Sequence, residues 1–209
     1  MPFTFNSEIS RSSSPRKSLI KRHPVLSPLI LISILLFIYY AINSKTGTPL
    51  IGIVPVEGII LESETFIKKI RILENHPDIR GIVIHINSPG GAVAPSQEIY
   101  EEILRIRQKI PVYASLASVA ASGGYYIAIA ANKIYANSGS ITGSIGVILQ
   151  TYNIQKLMDK IGIYPEIIKS GEIKDIGSSF RKMTLTEKKL LKSLITDTHQ
   201  QFIEAVAKN

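Results

Sequence analysis

The chain has 209 residues, enough for one sizeable domain and an appendage, and 45% of them are apolar, enough for a buried core. Its formal charge of +8 is concentrated before residue 49, where six Lys/Arg face Glu8 alone. The rest carries +3 with no basic aromatic cluster, which argues against a nucleic-acid partner. With no cysteine, disulfide scaffolding, thiol catalysis and Cys-based metal sites are excluded.

Val25 to Ile42 is an uncharged, strongly apolar run. Its length falls within the roughly 17–25 residues that cross a bilayer, and Tyr39 and Tyr40 stand where an interfacial aromatic belt would lie. Five basic residues precede the run and Lys45 follows it closely. The positive-inside rule then places residues 1–24 in the cytoplasm and the rest on the outer side of the cytoplasmic (inner) membrane. A cleaved signal peptide shares the basic start, but it has a shorter apolar core and needs a small-x-small site that Ala41-Ile-Asn-Ser44 supplies poorly. The expected organisation is a basic tail (1–24), a single-pass anchor (25–42), a linker (43–49) and a catalytic domain (50–209).

Beyond the linker, strands and helices alternate. Leu50–Val56 and Ile59-Ile60 predict a strand with a turn at Glu57-Gly58, and Glu62–Glu74 a helix. Gly81–Ile86 is a continuous apolar strand of the kind buried in parallel sheets. Ser88-Pro-Gly-Gly91 is expected to break the chain before an amphipathic helix over Pro95–Ile110, with Glu98, Glu101, Glu102, Arg105 and Arg107 outward. A strand over 111–116, a helix over 123–131 and a strand over 133–136 repeat the cycle. A Gly/Ser/Thr loop (139–146), a helix (152–161), a short strand (166–169) and a terminal helix (186–208) complete it. The alternation implies right-handed crossovers and a layered α/β fold.

Ser122, in Ala121-Ser-Gly-Gly-Tyr-Tyr126, stands at the mouth of a helix before two glycines. A serine there is ordinarily an N-cap. With Gly123 and Gly124 behind it, the same hydroxyl can instead be a nucleophile beside free backbone N–H groups that stabilise an oxyanion. The Asn87-Ser-Pro-Gly-Gly91 turn offers further N–H groups, and no Lys follows it in the P-loop pattern. Neither His23, His76, His85 nor His199 has an acid partner in a catalytic arrangement, so a Ser-His-Asp triad is poorly supported. A lysine base remains, which acts near neutral pH only if a closed apolar site lowers its ordinary pKa of about 10.4 by about three units.

Asn87-Ser-Pro-Gly-Gly91, Ala121-Ser-Gly-Gly-Tyr-Tyr-Ile-Ala128, Thr142-Gly-Ser-Ile-Gly-Val147 and Lys169-Ser-Gly-Glu-Ile-Lys174-Asp175, in that order, resemble the signal peptide peptidase A (SppA) family of membrane-anchored serine peptidases. The resemblance covers about residues 50–207. It implies a ClpP/crotonase-like fold, Ser122 as nucleophile, Lys174 as general base and Ser144 orienting the lysine. It also implies an oxyanion hole from the N–H groups of Gly123 and of Gly91, with Gly90 the alternative donor. No cofactor or metal is expected; peptide substrates, leftover signal peptides among them, and a homo-oligomer are. Family members continue past the helix that ends here at Lys208, so a C-terminally shortened domain is expected. The competing readings are a truncated membrane-tethered scaffold and a crotonase-type acyl-CoA enzyme.

Overall fold

The computed structural model describes residues 26–43 and 48–209. The expected basic tail and residues 44–47 of the linker lie outside them. The chain divides between Gly47 and Thr48 into two compact units.

In the first unit, α1 (Leu26–Asn43) has 18 residues, and its apolar side chains from Leu29 to Tyr40 are exposed. At 1.5 Å per residue it rises about 27 Å, just under the ~30 Å of a hydrocarbon core. Among the described residues no helix is long and apolar enough to cross a membrane.

The second unit is built on a five-stranded parallel sheet. β1 (Leu50–Ile60), β2 (Ile79–Gly91), β3 (Val112–Ala121) and β4 (Lys133–Ala136) lie side by side in chain order, and β5 (Ile141–Gly143) also pairs with β3. Between them run α2 (Glu64–Glu74), α3 (Val93–Ile106) and α4 (Gly123–Ala128); α5 (Gln155–Lys160) and α6 (Leu185–Lys208) follow. Crossovers of one hand that step the same way across a sheet put every helix on one face. The burial pattern obeys this. Val54, Ile82, Ile84, Ile86, Val112 and Ala114 are buried on the helical face, while Val83, His85, Tyr113 and Ser115 on the other face are half-exposed.

Helical periodicity explains α2 and α3. Phe66 and Ile70 of α2 and Ile99, Ile103 and Ile106 of α3 form the apolar stripes that meet the sheet. Both stripes lie in one continuous core with the β-branched residues of the strands. Glu102, expected to face outward, is buried at the α2–α3 contact, with Arg71 and Arg105 on its two carboxylate oxygens.

Two expected breaks are not breaks. Glu57-Gly58 does not end β1: the strand runs on to Ile60 through a register shift at Glu57/Ile59, with Gly58 at φ 69° absorbing the bend. Likewise Ser88-Pro-Gly-Gly91 is the final stretch of β2, with Ile60 of β1 paired to Gly91. The expected strand at 166–169 is absent, and those residues carry no regular structure. Within 139–146, expected to be all loop, lies β5.

Candidate active site

Everything at the site follows from where β3 ends. Residues 113–116 of β3 pair with β4, and residues 119–121 pair with β5, so one edge of β3 serves two strands in tandem. Ser122 follows at once, at φ 52° and ψ −120°. A non-glycine residue there is strained, at a cost on the order of 1–3 kcal/mol, and persists only where its surroundings fix it. Here they do: the Ser122 N–H donates to the Gly143 carbonyl (2.8 Å), and the Ser122 carbonyl accepts from the Tyr126 N–H (2.8 Å) in the first turn of α4.

This geometry settles the capping question. An N-cap serine has extended backbone and accepts a hydrogen bond on its side-chain oxygen. The Ser122 side chain makes no capping hydrogen bond. The strained turn presents it instead to a cavity of about 40 Å³, which Ser122 lines together with Gly91 and Gly123. That is room for about two or three waters.

The glycines are where they are because nothing larger fits. A Cβ on Gly90 would lie 2.6 Å from the Gly123 nitrogen and 2.9 Å from the Ser122 Cβ. On Gly91 it would meet the Ile60 carbonyl oxygen at 2.1 Å, and on Gly123 it would meet the Ser96 Oγ at 2.5 Å and the Gly91 nitrogen at 3.3 Å. The end of β2 thus lies directly against the start of α4. Backbone nitrogens of Gly91 and Gly123 become neighbours beside the serine, the composition an oxyanion hole requires.

Ser144 is carried to the same place by the β3/β5 register: Ala121 pairs with Gly143, and Ser144 is the next residue, also at positive φ (54°). Its side chain is exposed. Lys174 is not brought in. It lies in the turn over 171–177, where its N–H donates to the Gly171 carbonyl (3.2 Å), its side chain is exposed, and it is not among the residues lining the Ser122 cavity.

Sequence reasoning missed the cavity's outer wall. Thr198 and Phe202 of α6 line it with Tyr126 and Ser96. Phe202 packs edge-on to Tyr126 at 4.9 Å between ring centroids, and burial pushes the Tyr126 phenol up, keeping it neutral. The available signal was the apolar set Phe202, Ala205 and Val206 on a mostly polar helix. Also missed was an ion-pair cluster around Asp175, Arg181 and Glu187. The Arg181 guanidinium, then Lys169, holds the Asp175 carboxyl well below the usual carboxylate range, and Arg181 with the Thr184 N–H lowers Glu187 to about 2.

A serine forced onto a strand-to-helix junction beside paired backbone amides suits acyl transfer. The Clp protease family model matches residues 60–142, and the model of peptidase family S49 matches residues 105–209. The chain belongs to peptidase family S49, among relatives of the SppA type. It is 35% identical to the chloroplastic serine protease SPPA of Arabidopsis thaliana, over 75% of this chain and 23% of that one. To protease 4 of Haemophilus influenzae it is 30% identical, over 76% and 27%. A protease of Synechocystis sp. is 47% identical over 60% of this chain and 46% of that one. The chain spans less than half the length of these curated relatives. Among solved structures, the 1510-N membrane protease from Pyrococcus horikoshii, specific for a stomatin homologue, aligns at TM-score 0.41 and 26% identity over 47% of this chain and 50% of that one. ClpP1 from Listeria monocytogenes aligns at TM-score 0.35 and 32% identity over 38% and 46%.

Proposed function

We propose that the chain is a membrane-anchored serine endopeptidase with a Ser122/Lys174 dyad that degrades apolar peptides, cleaved signal peptides among them. The strained Ser122 beside the Gly91 and Gly123 amides is the observation that carries the reading. Neutral Lys174 takes the Ser122 Oγ proton as that oxygen bonds to the substrate carbonyl carbon. The oxyanion is held by the two amides. The lysine then gives its proton to the departing amine as the C–N bond breaks, leaving an acyl-enzyme. Water attacks the ester and the lysine accepts its proton; the lysine then returns that proton to Oγ as the C–Oγ bond breaks, the acid leaves, and both Ser122 and neutral Lys174 are regenerated. For this, the exposed Lys174 side chain reaches from the turn over 171–177 to the cavity, with Ser144 holding the ammonium. Hydrolysis of an apolar peptide by Ser122→Ala or Lys174→Ala is expected to fall by at least about 10³-fold relative to wild type. Equal activity in all three proteins would refute the dyad.

In the same reading α1 belongs to a single-pass anchor, with residues 1–24 in the cytoplasm and the peptidase outside, and the enzyme is a homo-oligomer. Fractionation checks the anchor: the full chain is expected in the membrane pellet, extractable by detergent and not by salt. A chain starting at Thr48 is expected in the soluble fraction.

A further inference from the structure

The turn that bears Lys174 has no regular secondary structure, and ion pairs hold the residues on both sides of the lysine. One residue after it, Asp175 accepts two hydrogen bonds from Arg181, from Nε at 2.8 Å and Nη2 at 2.9 Å. Before it, the Glu172 carbonyl accepts from Lys169 Nζ (2.6 Å), which also reaches Asp175 (2.7 Å). The other side of the guanidinium grips Glu187, with Nη1 on Oε2 at 2.9 Å and Nη2 on Oε1. Glu187 is 1% exposed and fixed in the first turn of α6 by a capping box, accepting from the Thr184 N–H while Thr184 Oγ1 accepts from its own N–H. Lys174's own ammonium makes no hydrogen bond or ion pair among the described residues.

Helix α6, to which the turn is pinned, also reaches the nucleophile. Thr198 and Phe202 form the outer wall of the Ser122 cavity, and His199 Nε2 lies 3.2 Å from the Ile145 carbonyl, next to Ser144. One helix therefore holds the base-bearing turn at its start and touches both serines' surroundings near its end. The four clustered side chains carry two positive and two negative charges and so add no net charge beside the lysine. A planar fork with donors on two edges can hold two carboxylates at once, each by two hydrogen bonds, which arginine supplies and a lysine ammonium does not.

We infer that Arg181, through Asp175, is the positioning residue for Lys174, fastening the base-bearing turn to the helix that walls the nucleophile's cavity. The inference rests on the Ser122/Lys174 reading. A base displaced by about 1 Å loses rate on the order of 10²-fold without loss of substrate binding. The test compares full-length wild type, Arg181→Ala, Arg181→Lys, Asp175→Asn and Lys174→Ala on one apolar peptide, with thermal unfolding of each. Arg181→Ala and Asp175→Asn are expected to lower kcat roughly ten- to hundredfold with KM within about twofold, and Arg181→Lys to recover part of the loss. Should Arg181→Ala fail to fold, Asp175→Asn decides, because it leaves the Arg181–Glu187 pair and the capping box in place. Wild-type kcat in folded Asp175→Asn, or a rise in KM alone, overturns the inference while the inactivity of Lys174→Ala leaves the dyad standing. Full activity of Lys174→Ala overturns both.

Discussion

At the scale of single residues, the backbone of Ser122 separates the two readings its sequence left open. Ser-Gly-Gly before a helix suits a cap as well as a nucleophile; φ 52° with ψ −120° and an uncapped first turn exclude the cap. That strain predicts a trade of stability against function. Ser122→Gly relieves it, so the variant is expected to be inactive yet as stable as wild type, or more stable by about 1 kcal/mol, by chemical denaturation. Gly91→Ala should do the opposite to folding. Its methyl would need the space of the Ile60 carbonyl, and a loss of roughly 2 kcal/mol or more is expected in the same measurement. The Ser122 turn and its glycines were legible because motif and local geometry coincide. Lys174 was singled out through resemblance, since an exposed lysine in an irregular turn has no pattern of its own.

Elements were legible where one periodicity ruled. The 3.6-residue stripes of α2 and α3 and the apolar run of β2 are where the sequence puts them, with ends shifted by a few residues. The strand expected at 166–169 did not form: the run Glu166-Ile-Ile-Lys169 pairs with no strand of the sheet, and β-propensity without pairing does not make a strand. Glu102 failed for another reason. Charge patterning marks it as a surface residue, yet Arg71 and Arg105 satisfy it at the α2–α3 contact, and Glu74 beside it takes Arg105 and Lys109. Side-chain hydrogen bonds from Arg105 are the main cause that lowers both carboxyls to about 2. A carboxyl lowered by folding stabilises the protein above its unfolded pKa, near 4.5, and that contribution drains away as pH falls toward about 2. Circular dichroism between pH 5 and pH 2 should therefore show acid unfolding, with the midpoint moved to higher pH in Arg105→Ala.

Across the whole molecule, the layered α/β alternation could be read from the sequence; the strand order, and the one-sided placement of helices that follows from it, came from the structure. The return of α6 to the serine could not be read either, because nothing local in residues 185–208 says which earlier element Phe202 will meet. Phe202→Ala removes a buried ring from the Tyr126 contact and the cavity wall; a loss of about 3 kcal/mol and a weakened KM are expected, read by denaturation and by kinetics. The distance along the chain also has a consequence in time. A ribosome adding about 5–20 residues per second needs roughly 4–16 s to pass from Ser122 to Phe202. Throughout that interval the nascent chain holds its hydroxyl and both glycine amides without the wall that confines a substrate. The wall of the cavity is thus completed only once the helix that carries Phe202 has been made.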